Sequence, residues 1–418
     1  MVALWRKIKA VKKLFEAVIA QKKVNRTIAK LRLINRPIRV GFYIVSDSCF
    51  QFETVFQLML KIDSLNPKLV VIPNMNLSPS EREAMFDATT RALNAKYPGL
   101  VESTRVGERY CDVSSMFDIV ATMNPYDHLT AECYGIEYLA KKGIPVLLSR
   151  YYQEDGTVWS VHFNKMPELS FLWRFYQCNV QVLVETASVQ KLLSRFHRLV
   201  VVGEPKIDRL YEKQPAAHTR KTIILAPHHS IEPIGEVRLQ LSNFLLYKDL
   251  ILKLPERYPQ IDWVFRPHPL LMSTMISNGY WTESARSKWL ERFLSFHNVR
   301  YVTKGDYYDM FLNSDGMIQD CGSFLPEYFY VNKPQCYVLK SKEHEQLQFT
   351  TYGKSLLCHV YRAYCENDII DFIDRVILGG KDSMKNERMI FADEIVKFNY
   401  PHASESIVRD IKEEFGLK

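Results

Sequence analysis

A chain of 418 residues is too long for one ordinary hydrophobic core, so two domains of roughly 150 to 200 residues are expected. With 47% apolar and 24% charged residues, the composition is that of a folded globular protein and excludes a disordered chain. The net charge of +8 is local: of 55 basic and 47 acidic residues, residues 1–36 hold 11 and one, so the remainder carries a net charge of −2.

The N-terminal segment predicts a basic amphipathic helix. Leu4, Ile8, Val11, Phe15 and Val18 recur at helical spacing, and the lysines and arginines lie largely on other faces. This pattern favours a helix that lies in the interface of an anionic membrane. The alternative is a helix that packs on the protein's own body or on a partner. A nucleic-acid surface is not predicted, because no basic patch interleaved with aromatic residues follows.

From residue 37 onward, strand and helix signals alternate. In the first half the expected strands are 38–45, 68–73, 117–123, 146–149, 180–185 and 199–202, and the expected helices are 50–63, 79–96 and 130–142. In the second half the expected strands are 222–226, 263–265, 299–302, 317–319 and 336–339, with helices at 244–254 and 289–296.

This alternation predicts an α/β protein with parallel, doubly wound sheets. The expected organisation is two Rossmann-like domains facing a cleft. The predicted segments are the N-terminal helix 1–36, a Rossmann-like domain 37–212, a second Rossmann-like domain 218–395 and a C-terminal helix 396–418. No GxGxxG fingerprint follows either first strand, which argues against a nicotinamide or flavin enzyme.

Eight cysteines are scattered along the chain without a CxxC pair, which argues against a zinc site and against a disulfide framework. The scattered cysteines predict that the protein resides in a reducing cytoplasm. The chain has no run of about 18 uncharged apolar residues, so no spanning helix is predicted. The N-terminus also lacks the apolar core of a signal peptide.

Two stretches that follow predicted strands carry the chemistry. Arg266-Pro267-His268-Pro269 closes the apolar run 261–265, and its prolines end the strand and hold the imidazole at the carboxyl end. In an open α/β sheet, ligands bind at that end. Asp320-Cys321-Gly322-Ser323 follows another strand and leads into a helix-like stretch, 324–330. Glycine and serine at such a turn present backbone N–H groups that suit a phosphate.

Four ordered motifs resemble those of the CDP-glycerol glycerophosphotransferase family, whose members build teichoic-acid-like polymers at the inner face of bacterial membranes. They are Gly203-Glu204-Pro205-Lys206-Ile207-Asp208, Ala226-Pro227-His228-His229-Ser230, Arg266-Pro267-His268-Pro269, and Asp320-Cys321-Gly322-Ser323 with Glu327. The resemblance covers roughly residues 180–345. It implies a GT-B-like architecture, with residues 37–212 as the acceptor domain and residues 218–395 as the nucleotide-donor domain.

The motifs and the resemblance together predict the site residues. The expected catalytic residues are His268, His162 and His228, and the expected donor-binding or phosphate-binding residues are Arg266, Asp320, Gly322, Ser323, Glu327 and Gly203. His128 is a further candidate on the acceptor side. No metal and no cofactor are expected beyond the activated donor, a CDP-polyol or a nucleotide sugar.

The sequence departs from the family pattern at two places. The usual Asp-aromatic-Ser-Ser turn is Asp320-Cys321-Gly322-Ser323 here, and the Trp-His-Gly motif that often supplies a second histidine is absent, so that region offers only His162. A divergent member is therefore expected. Besides polyol-phosphate transfer, the sequence leaves open a GT-B glycosyltransferase that uses a nucleotide sugar, and a non-catalytic member that binds a nucleotide or polymer.

The expected partners are a nucleotide-activated donor, a polymer or lipid-linked acceptor and an anionic membrane surface. The expected location is the cytoplasm, peripheral on the inner face of a bacterial membrane. The oligomeric state is not predicted.

Overall fold

The computed structural model of the chain describes residues 2–149, 153, 155, 156, 167–179, 198–234, 239–303 and 307–417. These residues form two compact units. The first unit comprises the described residues of the ranges 1–152, 163–211 and 398–418, and the second comprises those of 153–162 and 212–397. None of the helices in the described ranges is both long enough and apolar enough to cross a membrane.

The first unit is built on a seven-stranded parallel sheet. Its strands and one small hairpin are β1 (Ile38–Ile44), β2 (Leu65–Val71), β3 (Val101–Ser103), the hairpin β4 (Arg105–Val106) and β5 (Arg109–Tyr110), β6 (Ile119–Thr122), β7 (Val146–Ser149), β8 (Arg174–Gln177) and β9 (Arg198–Val201). The sheet order is β3-β2-β1-β6-β7-β8-β9, the doubly wound arrangement that the alternation predicts. The predicted strand 180–185 lies outside the described residues.

Residues 2–149, all of which the structure describes, contain four α-helices. They are α1 (Val2–Leu31), α2 (Glu53–Met59), α3 (Pro79–Lys96) and α4 (Ile136–Lys141). The predicted bounds of α3 are confirmed. Ser78 and Glu81 form a capping box at the start of this helix. The prediction that α4 begins at residue 130 is wrong. The Asp127 carboxylate accepts the N–H of Ile136 at 2.7 Å, which starts the helix six residues later.

The buried face of helix α1 differs from the apolar stripe that the sequence predicts. Its small and apolar face at Ala17, Ala20, Val24 and Ile28 is buried within the first unit. The Gln21 amide donates to the carbonyl oxygen of Leu172 at 2.7 Å and fixes the helix further. The predicted alternative, packing on the protein's own body, therefore holds for this face.

The second unit has a six-stranded parallel sheet. Its strands are β10 (Lys221–Ala226), β11 (Ile261–Phe265), β12 (Val299–Tyr301), β13 (Gly316–Gln319), β14 (Gln335–Val338) and β15 (Tyr361–Ala363). The order is β12-β11-β10-β13-β14-β15, so the strand order reverses between β10 and β13. Trp263, Phe265, Trp289 and Phe293 form much of the core between the sheet and its helices.

The helices of the second unit are mostly short. They are α5 (Phe244–Arg257), α6 (Leu271–Ser277), α7 (Glu283–Leu294), α8 (Tyr308–Leu312), α9 (Phe324–Glu327), α10 (Lys342–Gln348), α11 (Thr351–Leu357), α12 (Glu366–Asp371) and α13 (Lys385–Phe391). Wider π-helical turns, Phe372–Leu378 and Ala392–Val396, continue α12 and α13.

The C-terminal helix α14 (Ala403–Phe415) returns to the first unit. Its Asp410 carboxylate accepts hydrogen bonds from Arg174 and Tyr176, both at 2.9 Å, on strand β8. At its N-terminus, the Asp208 carboxylate accepts the N–H of Ser404 at 2.6 Å. A buried strand and the motif around residue 208 thus anchor the end of the chain.

Candidate functional site

Three neighbouring strands of the second sheet bring the predicted motifs together. The loop after β11 begins with Arg266 to Pro269, the loop after β10 begins with Pro227 to Ser230, and the loop after β13 begins with Asp320 to Ser323. Because the order is β11-β10-β13 and all three strands are parallel, these loops share one edge of the sheet. The reversal of strand order between β10 and β13 is where open α/β sheets bind ligands.

Three histidines form a cluster at this edge. The ring of His229 stacks on that of His268 with centroids 4.0 Å apart, and the ring of His228 lies 4.4 Å from His229 and 5.0 Å from His268. His229 was not among the predicted site residues. The adjacent His-His pair was the signal for it, but one of the two was expected only to pack.

Hydrogen bonds fix the orientation of two of these rings. The Nδ1 atom of His268 accepts the N–H of Leu270 at 3.1 Å, and Nδ1 of His228 accepts the N–H of Ser230 at 3.2 Å. These contacts place the proton of each neutral ring on Nε2. Burial lowers the pKa of His268 to about 3 and that of His228 well below its ordinary value. The unliganded cluster is therefore neutral and offers N–H donors.

His268 is thus neutral in the resting state, and its Nε2–H group can donate a hydrogen bond to an anion bound beside the cluster. The nitrogens of the three rings lie within 4.8 Å of one another, a spacing that also suggests a metal ion. However, a metal needs a free lone pair on its ligand nitrogen. The protons on Nε2 of His228 and His268 favour an anion instead.

The Asp320 carboxyl holds the backbone of His228 in place. Its Oδ1 atom accepts the N–H of His228 at 2.5 Å, and its Oδ2 atom accepts the N–H of Asn243 at 2.6 Å. The Asn243 side chain donates in turn to the carbonyl oxygen of Val338 at 3.0 Å. Only 3% of Asp320 is exposed, and burial raises its pKa to about 7. In the structure, Asp320 joins the ends of β10 and β13 and the start of α5.

The turn after β13 is wound into a helix-like loop. The N–H of Leu325 donates to the carbonyl oxygens of Cys321 and Gly322, at 3.3 and 3.2 Å. The helix that follows is only one turn, α9, and gives way to a 3₁₀ turn at Tyr328–Val331. The expected phosphate cradle must therefore depend on loop groups such as the half-buried Ser323, and little on a helix dipole.

Two other predicted donor-binding residues lie in the same unit. Arg266 is half-buried directly after β11, and its backbone N–H donates to the carbonyl oxygen of Leu225 at 2.8 Å. Glu327 is 1% exposed at the end of α9. Their donor-binding roles stay predictions.

His162 lies outside the described residues, and His128 is exposed on a 3₁₀ turn of the first unit.

Gly203 has a structural reason to be glycine. Its φ is +99°, and a Cβ atom there would lie 2.6 Å from the carbonyl oxygen of Phe398 and 2.9 Å from Cβ of Ala403. The Asn399 side chain donates to the neighbouring carbonyl oxygen of Val202 at 2.7 Å. The structure thus places Gly203 against the segment that leads into α14.

We expect Gly203→Ala to destabilise the first unit by about 2–4 kcal/mol, because both the backbone conformation and the contact with Phe398 oppose a side chain. Chemical denaturation measures the change. Gly99→Ala is the matched control, since Gly99 has φ of +76° with nothing within 4 Å of its Cβ position. If both variants lose the same stability, the close contact at Gly203 is unimportant.

Solved structures of other proteins share this fold. The wall teichoic acid polymerase TagF matches with a TM-score of 0.55 and 13% identity, over 98% of this chain and 98% of that chain. A UDP-GlcNAc 2-epimerase from Neisseria meningitidis bound to UDP-GlcNAc matches with a TM-score of 0.56 and 12% identity, over 90% and 100%. MnaA of S. aureus in complex with UDP matches with a TM-score of 0.56 and 14% identity, over 92% and 98%.

No protein-family model matches the chain, and no curated protein sequence matches it. At identities of 12–14%, the structural matches establish the fold. The predicted α/β class with two Rossmann-like units of the GT-B type is confirmed. The family that the motifs resemble is represented among these structures by TagF.

Proposed function

We propose that this protein transfers a polyol phosphate, such as glycerol phosphate, from a CDP-activated donor to a hydroxyl group of a cell-surface polymer or its lipid-linked precursor. The observation that carries the proposal is the convergence of His228, His268 and the Asp320–Ser323 loop at three consecutive strand ends. The fold is shared with a teichoic acid polymerase, and one structure of that polymerase was obtained with CDPG.

The reaction needs stabilisation of negative charge more than covalent chemistry. The acceptor oxygen attacks the β-phosphorus, the bond from that phosphorus to CMP breaks, and the acceptor proton passes to a base. In this proposal the Nε2–H group of His268 donates to the departing phosphate of CMP. As negative charge grows there, this hydrogen bond strengthens while His268 stays neutral, because its Nδ1 atom is already occupied by the N–H of Leu270.

The other residues act around this step. Arg266 and Ser323 bind the phosphates, and Glu327 contacts the ribose. His228 is 8% exposed, and its backbone and Nδ1 atom are both engaged, so it orients the cluster. His162 remains the candidate for the base that receives the acceptor proton.

A thermal-shift panel tests the donor class. A ligand at 100 times its dissociation constant stabilises a protein by about 2.7 kcal/mol. We expect CDP-glycerol, CDP-ribitol and CMP to raise the melting temperature. A shift confined to UDP, GDP or CMP sugars would reassign the protein to glycosyl transfer, and silence across the panel would favour a non-catalytic member.

Glycosyl transfer is the second candidate function. It is supported by the epimerase structures with UDP-GlcNAc and UDP, whose TM-scores of 0.56 lie within the range of 0.55 to 0.58 of the TagF structures. The same phosphate-binding edge serves either donor, because both carry a nucleoside diphosphate. The two functions differ in the bond that breaks: polyol-phosphate transfer attacks the β-phosphorus and releases CMP, whereas glycosyl transfer attacks the anomeric carbon of the sugar and releases the nucleoside diphosphate.

Membrane association is the remaining part of the proposal. On α1, the apolar side chains of Phe15 and Ile19 are 67% and 45% exposed, on a face apart from the buried one. Lys12, Lys22 and Arg26 are exposed around them. An exposed aromatic residue beside several cations fits the interface of an anionic bilayer, where apolar insertion and charge attraction add. A lipid-linked acceptor would be within reach of such a surface.

We expect the protein to co-sediment with liposomes that contain phosphatidylglycerol and to lose most of this binding in 0.5 M NaCl, because salt screens surface charges. Phe15→Ser with Ile19→Ser should weaken binding at low salt. Leu347→Ser, which changes a leucine 71% exposed in the second unit, is the control. Binding that ignores salt, or no binding at all, would contradict the membrane proposal.

A further inference from the structure

A buried carboxyl from another part of the chain lies against the loop after β13. Asp155 belongs to the second unit and is 1% exposed. Its Oδ1 and Oδ2 atoms lie 3.2 and 3.6 Å from the position that a Cβ atom of Gly322 would occupy. The carboxyl therefore fills the space of a side chain at position 322, in the middle of the candidate donor loop.

The backbone, and not the carboxyl, holds this residue in place. The carbonyl oxygen of Asp155 accepts the N–H of Thr350 at 2.8 Å and its hydroxyl at 3.0 Å. Gly156 pairs with Phe349 in an antiparallel bridge. Gly353 allows this close approach, since a Cβ atom there would lie 2.1 Å from the same carbonyl oxygen. The carboxyl itself is thus not needed to anchor the segment.

One oxygen of the carboxyl is unused. Within the part of the chain that the structure describes, Oδ2 of Asp155 is buried without a hydrogen-bond partner. The donors to the carboxyl are the backbone N–H groups of Asp155 and Gly156, and the titratable side chains that act on it or feel its charge are Glu327 and Tyr337. With no cation among these groups, burial raises the pKa of Asp155 well above its usual range. A neutral carboxyl has an O–H group to donate.

A buried polar atom without a hydrogen-bond partner destabilises the folded protein. We propose that Asp155 is a binding residue of the donor site, where its carboxyl donates a hydrogen bond to the phosphate chain of the nucleotide-activated donor beside Gly322. This inference rests on the proposed function and adds to it a residue outside the four motifs. It also gives a reason for glycine at position 322, since a larger residue would meet the carboxyl.

Calorimetric titration with CDP tests the proposal. We expect Asp155→Ala to raise the dissociation constant about tenfold or more, as for a lost hydrogen bond to a charged ligand. Asp155→Asn keeps an N–H donor and should stay within about threefold of the wild type. Asp249→Ala, at a carboxylate 70% exposed, is the control and should bind as the wild type does. Wild-type affinity in Asp155→Ala, or equal losses in the alanine and asparagine variants, would overturn the donor role.

A second measurement needs no ligand. Gly322→Ala should lower the melting temperature in the wild-type background and do so less in the Asp155→Ala background, because the carboxyl is the group that a Cβ atom meets first. Equal losses in both backgrounds would refute the contact. Failure of the proposed function has a different signature, since the wild-type protein itself would then not bind CDP, and the inference would fall with it.

Discussion

Replacing His268 with alanine is expected to reduce the release of CMP from a CDP-activated donor by about 10²- to 10⁴-fold, the usual contribution of a positioned acid or base. The reason is the lost Nε2–H donor at the phosphate that departs. Binding of CMP should weaken far less, because the loop after β13 and Arg266 remain. The measurement is steady-state turnover together with calorimetric affinity for CMP.

Two variants sharpen this result. His268→Gln keeps an N–H donor near the position of Nε2 and should recover part of the lost turnover. His297→Ala removes an exposed histidine of the same unit and should leave turnover unchanged. Unchanged turnover in His268→Ala would refute its catalytic role, and equal losses of turnover and affinity would reduce it to a binding residue.

Replacing Asp320 with alanine is expected to cost about 2–5 kcal/mol of unfolding free energy, because two buried N–H groups, of His228 and Asn243, lose their acceptor. The histidine cluster should also lose its orientation, so nucleotide affinity should fall with stability. Urea denaturation and calorimetric titration measure the two effects.

Asp320→Asn and Asp262→Ala serve as controls. The asparagine retains one acceptor oxygen and should cost less than alanine. Asp262 lies on β11 of the same sheet, but its carboxylate is 44% exposed in a surface pair with Arg220, so its loss should change stability by less than about 1 kcal/mol. A stable Asp320→Ala variant with normal nucleotide affinity would show that this carboxyl does not organise the site.

The sequence predicted those elements whose signals are local. Strand β10 is an apolar run bounded by polar residues, and α3 starts with a serine, a proline and a glutamate at capping positions. The Arg266 to Pro269 motif could be placed at a strand end for the same reason. Its own residues both stop the strand and supply the chemistry.

Features that depend on distant partners were missed. Strand β8 carries Arg174 and Gln177 in fully buried positions, so it lacks an apolar run. The arginine is tolerated there because Asp410, 236 residues later, pairs with it. Asp155 likewise reaches the loop after β13 only through contacts with Thr350 and Gly353. No local pattern reports such pairings.

The protonation state of the site histidines could not be predicted from the sequence either. The Arg266 to Pro269 motif places an imidazole at a strand end but does not indicate the protonation state of that imidazole. In the structure His268 packs against two other imidazoles, and burial lowers its pKa. The cluster therefore presents neutral N–H donors in its resting state.

The most direct test of the central claim is a crystal structure of the protein soaked with CDP. We expect density for the diphosphate at the shared edge of β11, β10 and β13, within hydrogen-bond distance of Nε2 of His268 and of Ser323. Density for CDP at another place on the second unit, or on the first unit alone, would contradict it.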